Sequence, residues 1–237
     1  MAGGAPGKPE KVEKSGKAGK AGKALSKELI VEKAVDLLGR HGLAAVTLRR
    51  IATELGVSAP TLYWHISDKR ELLDSMAEYL LRRGRTDSFD GPADGQPWWE
   101  WLMERTRAMF EAMISVRDAP QVIAGNRPTP ESLAEIDRSI GVLVDAGFTP
   151  ADAQQVFFVL GGYIGGMALE WQQEANRSLE DVDDSELYTA VTDAERYPYL
   201  AAAIRVGAHR EPMETFQFGL DLLVRGLRAW HAERVGD

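Results

Sequence analysis

Apolar residues in this chain recur at intervals of three and four almost from end to end, the spacing of one buried helix face. The first run is Ile30, Ala34, Leu37 and Leu38, and Gly42 closes it as a helix C-terminal glycine does. Thr47 is placed to cap a second helix, with Leu48, Ile51, Ala52 and Leu55 inward and Gly56 as its stop. After Val57, Ser58 is placed to cap a brief third helix over Ala59–Ile66. Pro60 falls in its first turn, where a missing N–H breaks no helical bond. Asp68 and Glu71 form a capping-box-like pair before a fourth helix that carries Leu72, Leu73, Met76 and Leu80 inside.

Asp87–Gln96 is rich in Gly, Pro and Asp and predicts a linker. Beyond it Trp98, Trp101, Leu102, Arg105, Met109 and Met113 share one helix side. Thr129-Pro130 opens another helix, with Leu133, Ile136, Ile140, Leu143 and Val144 as its stripe and Gly147 as its stop. Thr149-Pro150 opens a long one with Phe157, Leu160, Ile164 and Met167. A weaker helix is expected near Ser185–Thr192, and Glu211-Pro212 starts the last, with Phe216, Leu220, Leu223, Leu227 and Trp230 inside. No run alternates as a strand does, so the fold class is all-α.

Composition sharpens this. The chain has 237 residues and 44% hydrophobic content, enough for one or two packed helical domains. No run reaches the roughly 18 apolar residues of a membrane span, and no secretory signal core opens the chain, so a cytoplasmic protein with no membrane partner is expected. With no cysteine there is no disulfide, thiolate nucleophile or Cys-type zinc site. The net charge is −8, but it is split: residues 1–85 carry 16 Lys+Arg against 10 Asp+Glu, whereas residues 86–237 carry 12 against 26. A basic head on an acidic body points to nucleic acid at one end only.

Three segments follow. Residues 1–24 are Gly, Ala and Lys, with lysines at every third position from Lys8 to Lys23, and predict a disordered basic arm. The arm either adds non-specific phosphate contacts or only solubilises. Residues 25–85 form a three-helix helix-turn-helix domain ahead of a longer helix, and residues 86–237 form a helical effector-binding and dimerisation domain.

The two short helices joined across Gly56-Val57-Ser58 make the helix-turn-helix, whose second helix enters a major groove. Its outward side chains are Ala59, Pro60, Thr61, Tyr63, Trp64 and His65, with Leu62 and Ile66 held inside. Ala59 and Pro60 suit close approach to a thymine methyl, while Tyr63 and His65 suit hydrogen bonds to phosphates or bases. Lys69 follows to neutralise phosphate, and Arg49 is on the outer side of the preceding helix, in reach of a guanine edge. Trp64 packs on the domain surface or touches DNA, and His65 caps its helix or touches DNA.

These residues carry a resemblance. Thr47-Leu48-Arg49-Arg50-Ile51-Ala52, Leu55-Gly56-Val57, Pro60-Thr61-Leu62-Tyr63-Trp64-His65 and Lys69-Arg70-Glu71-Leu72-Leu73 together resemble the DNA-binding domain of the tetracycline repressor (TetR) family. The resemblance implies that Arg49 reads a base, that Thr47, Thr61, Tyr63, Trp64, His65 and Lys69 hold phosphates or base edges, and that Pro60 touches thymine. Further along, Asp118, Gly125, Arg127-Pro128, Gly147-Phe148 and Leu169-Glu170 are similar to the same repressors. There a histidine and a glutamate help to hold a magnesium–drug chelate; the matching positions here are Ile123 and Glu170. Isoleucine cannot ligate a metal, and His41, His65, His209 and His231 show no ligand spacing, so the expected effector is organic and metal-independent, with no cofactor.

Candidate walls for that effector are Trp101, Met109, Ile123, Phe157, Tyr163 and Met167, with Arg105, Asn126, Arg127, Gln154 and Glu170 as polar partners. Each apolar one is equally an ordinary core residue. Gly161-Gly162 and Gly165-Gly166 weaken the long helix unless a ligand, a crossing helix or a second subunit approaches its backbone. The resemblance implies a homodimer through the last helix and the long one. No nucleophile–base set or phosphate-cradling glycine loop is present, so an enzyme is not expected.

Overall fold

The computed structural model describes residues 3, 25–83, 91–124, 126–130, 132–179, 193–207 and 211–235. The expected basic arm, apart from Gly3, and the helix expected near 185–192 lie outside these. Among the described residues every regular element is helical: ten α-helices and one 3₁₀ turn. None is long and apolar enough to cross a membrane.

The head comprises α1 (Lys27–His41), a 3₁₀ turn (Leu43–Ala45), α2 (Leu48–Leu55), α3 (Ala59–Leu62) and α4 (Lys69–Arg83). Ser26 caps α1 by accepting the Leu29 N–H at 3.3 Å, and Thr47 caps α2 by accepting the Arg50 N–H at 3.2 Å. Gly56 ends α2 in the left-handed region at φ 68°, which lets the chain turn sharply into α3 without a Cβ clash. The capping expected of Ser58 does not occur: its hydroxyl pairs with the Thr61 hydroxyl at 2.7 Å instead. The α3 helix is also shorter than expected. It stops at Leu62, and the N–H groups of His65 and Ile66 both fall on the Leu62 carbonyl, so the chain leaves as a turn. At the start of α4, Asp68 accepts the Glu71 N–H at 2.9 Å, but Glu71 reaches back one residue further, to the Ser67 N–H and hydroxyl. It also takes Lys27 of α1 at 2.8 Å. These donors hold the Glu71 carboxyl at about 2, well under its usual 4.5, the Lys27 ammonium being the largest cause.

The body comprises α5 (Trp98–Ile114), α6 (Ala119–Ile123), α7 (Leu133–Asp145), α8 (Pro150–Leu179), α9 (Pro198–Gly207) and α10 (Pro212–Val235). Thr149 and Asp152 cap α8 reciprocally, hydroxyl to carboxylate at 2.8 Å and backbone N–H to hydroxyl at 3.1 Å. The α7 helix begins at Leu133, not at Pro130, because Ser132 turns back on the Thr129 carbonyl through both its N–H and its hydroxyl. Leu133 and Ile136 of its expected inner stripe are exposed, and Leu143 is the stripe residue that is fully buried. On α10, Phe216 and Leu220 are buried as expected, and Val224 joins them.

Two apolar clusters result. One gathers Ile30, Leu37, Leu38, Ile51, Leu62 and Ile66 with the inner face of α4. The other is built on Trp101, Phe110, Leu143, Phe148, Phe216 and Leu220, with Phe110 and Phe216 stacked at 3.9 Å. The short α6 joins them: Ala119 and Val122 belong to the head's cluster, and Ile123 packs against both.

Candidate nucleic-acid interface and effector cavity

The turn between α2 and α3 divides the head's short helices into two faces. Leu62 and Ile66 are 0% and 1% exposed, while Tyr63 and Trp64 between them are 56% and 88% exposed. Two large rings standing in water beside a sealed core form a surface built to meet a partner. Around them, Thr47, Arg49, Pro60 and Lys69 are exposed, and Thr61 and His65 are half-buried. Ala59 is half-buried too, but it packs against the head's cluster and so offers less outer surface than the sequence suggests. Thr47 accepts its capping bond from Arg50, and the Thr53 hydroxyl of α2 donates to the Arg49 carbonyl at 3.0 Å. Thr61 is oriented by Ser58, a pairing that no sequence pattern marks.

The body offers a cavity of about 180 Å³ between α5, α7 and α8. Four of the expected effector residues line it: Arg105, Met109, Gln154 and Phe157. Trp101 is fully buried behind it, edge-on to Phe157 at 6.3 Å. The remaining candidates are elsewhere. Tyr163 turns to the opposite side of α8, where its hydroxyl donates to the Phe216 carbonyl at 2.7 Å over Gly219. Ile123 is in the joint between the clusters, Met167 is a half-buried part of the body's cluster, and Asn126 is half-buried with its side-chain oxygen enclosed. Arg127 and Glu170 are exposed. Sequence reasoning missed Thr106 and Ser139 on the cavity wall, which also takes in Ile140 of the α7 stripe and Gly161, one of the glycines at which a ligand's approach was left open. Ser139 was detectable in principle, as a polar residue bordering the apolar stripe of α7; Thr106 had no such signal.

Ile123 packs its side chain into apolar clusters, and among the described residues no three His, Asp or Glu side chains gather.

Head and body are pinned together by a polar link. Asp118, the residue before α6, adopts φ 59°, a left-handed conformation that Asp tolerates better than most residues. Its carboxylate accepts the Leu43 N–H at 2.7 Å, and its own N–H donates to Gln172 of α8 at 2.8 Å. Gln172 in turn donates to the Val116 carbonyl at 2.8 Å. Gly42, at φ 76°, leaves room for this: a Cβ there would stand 2.9 Å from the Asp118 carboxylate.

An exposed ring pair on a helix-turn-helix, a helical body holding a cavity, and a short helix shared by both cores define a one-component transcription regulator. Residues 30–76 match the model of bacterial regulatory proteins of the tetR family, and residues 91–230 match the tetracyclin repressor-like C-terminal domain. The chain belongs to the tetR family of bacterial regulators, whose members are ligand-responsive and bind DNA. It is 32% identical over 203 residues to the tetracycline repressor protein class C of Escherichia coli, covering 86% of this chain and 90% of that one. Among solved structures it is similar to a possible TetR family transcriptional regulator from Streptomyces coelicolor A3(2), at 33% identity and a TM-score of 0.71, covering 86% and 99% of the two chains. It is also similar to a single-substitution variant of TetR from Acinetobacter baumannii AYE in complex with minocycline, at 28% identity and a TM-score of 0.67, covering 87% and 98%.

Proposed function

We propose that the chain is a homodimeric repressor that grips operator DNA with α2 and α3 of both protomers. It releases that DNA when a metal-independent organic molecule enters the α5–α7–α8 cavity. The observation that carries this reading is the outward stance of Tyr63 and Trp64 over buried Leu62 and Ile66. In the groove, Arg49 reads a base edge, Tyr63 and Lys69 take phosphates, and Pro60 lies against a thymine methyl.

The second subunit is supported by the free face of α8 and α10. Phe158, Val159 and Leu169 on α8, and Phe218 and Leu222 on α10, are exposed. A Cβ added at Gly162, Gly165 or Gly166, on the same side of α8, would meet nothing within 4 Å. Among the described residues, no helix of this chain therefore makes the close approach those glycines permit, and a copy does. In such a dimer the two reading helices would meet half-sites spaced by one DNA turn, about 34–36 Å, or a multiple of it. Release then needs a change in that spacing, driven by whatever affinity difference the ligand has for the two arrangements. The Gln172–Asp118–Leu43 link and the shared α6 carry the change from body to head. The role is regulatory, in keeping with the family to which the chain belongs. The test is a gel-shift titration on a duplex selected from a random pool: a two-fold symmetric site bound by two chains supports the reading, and binding without site preference refutes it.

A further inference from the structure

Resting on the reading of the head as an operator-gripping unit, we infer that residues 14–24 form a second DNA contact, a lysine arm that runs along the phosphates flanking the site held by α2 and α3. Six lysines face two glutamates in residues 1–24, but the two kinds are unevenly placed. Glu10 and Glu13 balance Lys8 and Lys11, whereas Lys14, Lys17, Lys20 and Lys23 have no carboxylate among them. From Gly16 to Ala24 the chain is the triplet Gly-Lys-Ala three times over, so nothing bulkier than a methyl separates one lysine from the next. Residues 1–24 contain no Arg, Asn or Gln, side chains that read base edges bidentately. Evenly spaced point charges without such reading groups suit a polyphosphate backbone, whatever its sequence.

Residues 14–24 are outside the described ones, but the root they grow from is fixed beside the reading turn. Leu25 packs against the head's cluster, and Ser26 caps α1. Lys27 takes the Glu71 carboxylate at 2.8 Å, and the same carboxylate accepts the N–H and the hydroxyl of Ser67, each at 2.8 Å. Ser67 follows Ile66 directly out of the α3 turn, and Lys69 stands two places further on. The Glu28 carboxyl is held below its ordinary range by its own backbone N–H and the Ser26 hydroxyl, and beyond them by the charges of Lys27 and of the His65 ring. The chain therefore leaves the head within the patch that holds Tyr63, Trp64, His65 and Lys69. A duplex seated on α3 is an intramolecular partner for an arm rooted there, at an effective concentration on the order of mM. Residues 14–24 span at most about 36–40 Å, so the four lysines stay within roughly one DNA turn of the root. Charge for solubility alone has no need of this position, since the chain already carries a net charge of −8.

The experiment is fluorescence anisotropy of the full chain on the duplex selected from a random pool, with and without flanking base pairs, between about 50 and 200 mM salt. The parent is compared with a quadruple variant, Lys14→Gln, Lys17→Gln, Lys20→Gln and Lys23→Gln, and with a chain in which the same four lysines are changed to arginine. A third chain lacks residues 2–13, whose charges balance, and each is checked for native helicity. In the quadruple variant the slope of log affinity against log salt should flatten by about 3–4 for each chain bound. Its affinity for the flanked duplex should fall about tenfold or more near about 100 mM salt, equally on selected and scrambled sequence and less on a duplex trimmed to the site. The arginine chain and the chain lacking residues 2–13 should bind as the parent does. An unchanged slope, an equal loss on removing residues 2–13, or a loss confined to the selected sequence overturns the inference. Site preference retained with the slope unchanged sinks the arm and spares the operator reading. A parent without site preference, whose slope still flattens in the quadruple variant, sinks the operator reading and spares the arm.

Discussion

Head and body expose large apolar side chains in different ways, and the difference tells their partners apart. In the head, exposure is confined to Tyr63 and Trp64, two rings flanked by Arg49, Thr61 and Lys69. In the body it is spread more widely: Leu133 and Ile136 of α7 and Tyr199 and Leu200 of α9 are exposed, and the longest run follows α8 and α10 as Phe158, Val159, Leu169, Phe218 and Leu222, beside backbone stripped of side chains at Gly162, Gly165 and Gly166. Rings among cations and hydroxyls suit a polyanion with stacked bases. Aliphatic and phenyl groups beside glycine suit another close-packed protein surface. One head face for DNA and one body face for a copy are what a two-fold symmetric reader requires.

The comparison breaks most visibly if the body face is spoiled. Phe158→Glu with Leu222→Glu should convert the dimer to monomer in sedimentation velocity and reduce affinity for the selected duplex by about a hundredfold or more, since each head then binds alone. A dimer that persists would place the interface elsewhere. Next in size is the seal beneath the rings. Leu62→Ala should cost about 2–5 kcal/mol in urea unfolding, because a fully buried leucine leaves a cavity. Arg49→Ala acts on the outer face instead: about 1–3 kcal/mol of discrimination should vanish from the preferred sequence with non-specific binding nearly unchanged, while Tyr63→Phe should weaken all sequences alike.

How much of this was legible beforehand follows from the length and amphipathicity of each element. The α1 and α2 helices were readable from their apolar stripes, from Gly42 and Gly56 that stop them and from Thr47 that caps α2, while the Ser26 cap of α1 emerged only in the structure. The exposed pair Tyr63 and Trp64 was readable from Leu62 and Ile66, which must point the other way. The α6 helix was not: it has five residues, too few to show a period, and its apolar side chains serve two cores. Nor was α9, where Tyr199 and Leu200 are exposed and Ala201 is the buried one, so no inward stripe of large side chains marks it. On the cavity, Arg105 announced itself as a charge in an apolar stripe. Tyr163 misled, because it shares α8 with Phe157 but not its face. Which side of a long helix meets which neighbour is decided by packing that no single segment encodes.

Smaller effects refine the link between the two regions. Asp118→Ala or Gln172→Ala should cost about 1 kcal/mol of stability and reduce ligand-driven DNA release more than DNA binding itself, measured as the ratio of duplex affinity with and without effector. The smallest expected effect is acid sensitivity at the α1–α4 junction. Glu71 titrates at about 2 when folded, below its ordinary 4.5, so its pairing with Lys27 and Ser67 stabilises above pH 4.5 and is lost as pH falls toward 2. Glu71→Gln should flatten that part of the acid unfolding curve.

The central claim is that the exposed face around Tyr63 and Trp64 lies in a DNA groove. Site-specific photocrosslinking from position 64, on duplex selected from a random pool, tests it most directly. The account predicts crosslinks at two symmetric positions about one helical turn apart, abolished when effector is added. Crosslinks absent from a chain that still binds the duplex tightly, or scattered without symmetry, would contradict it.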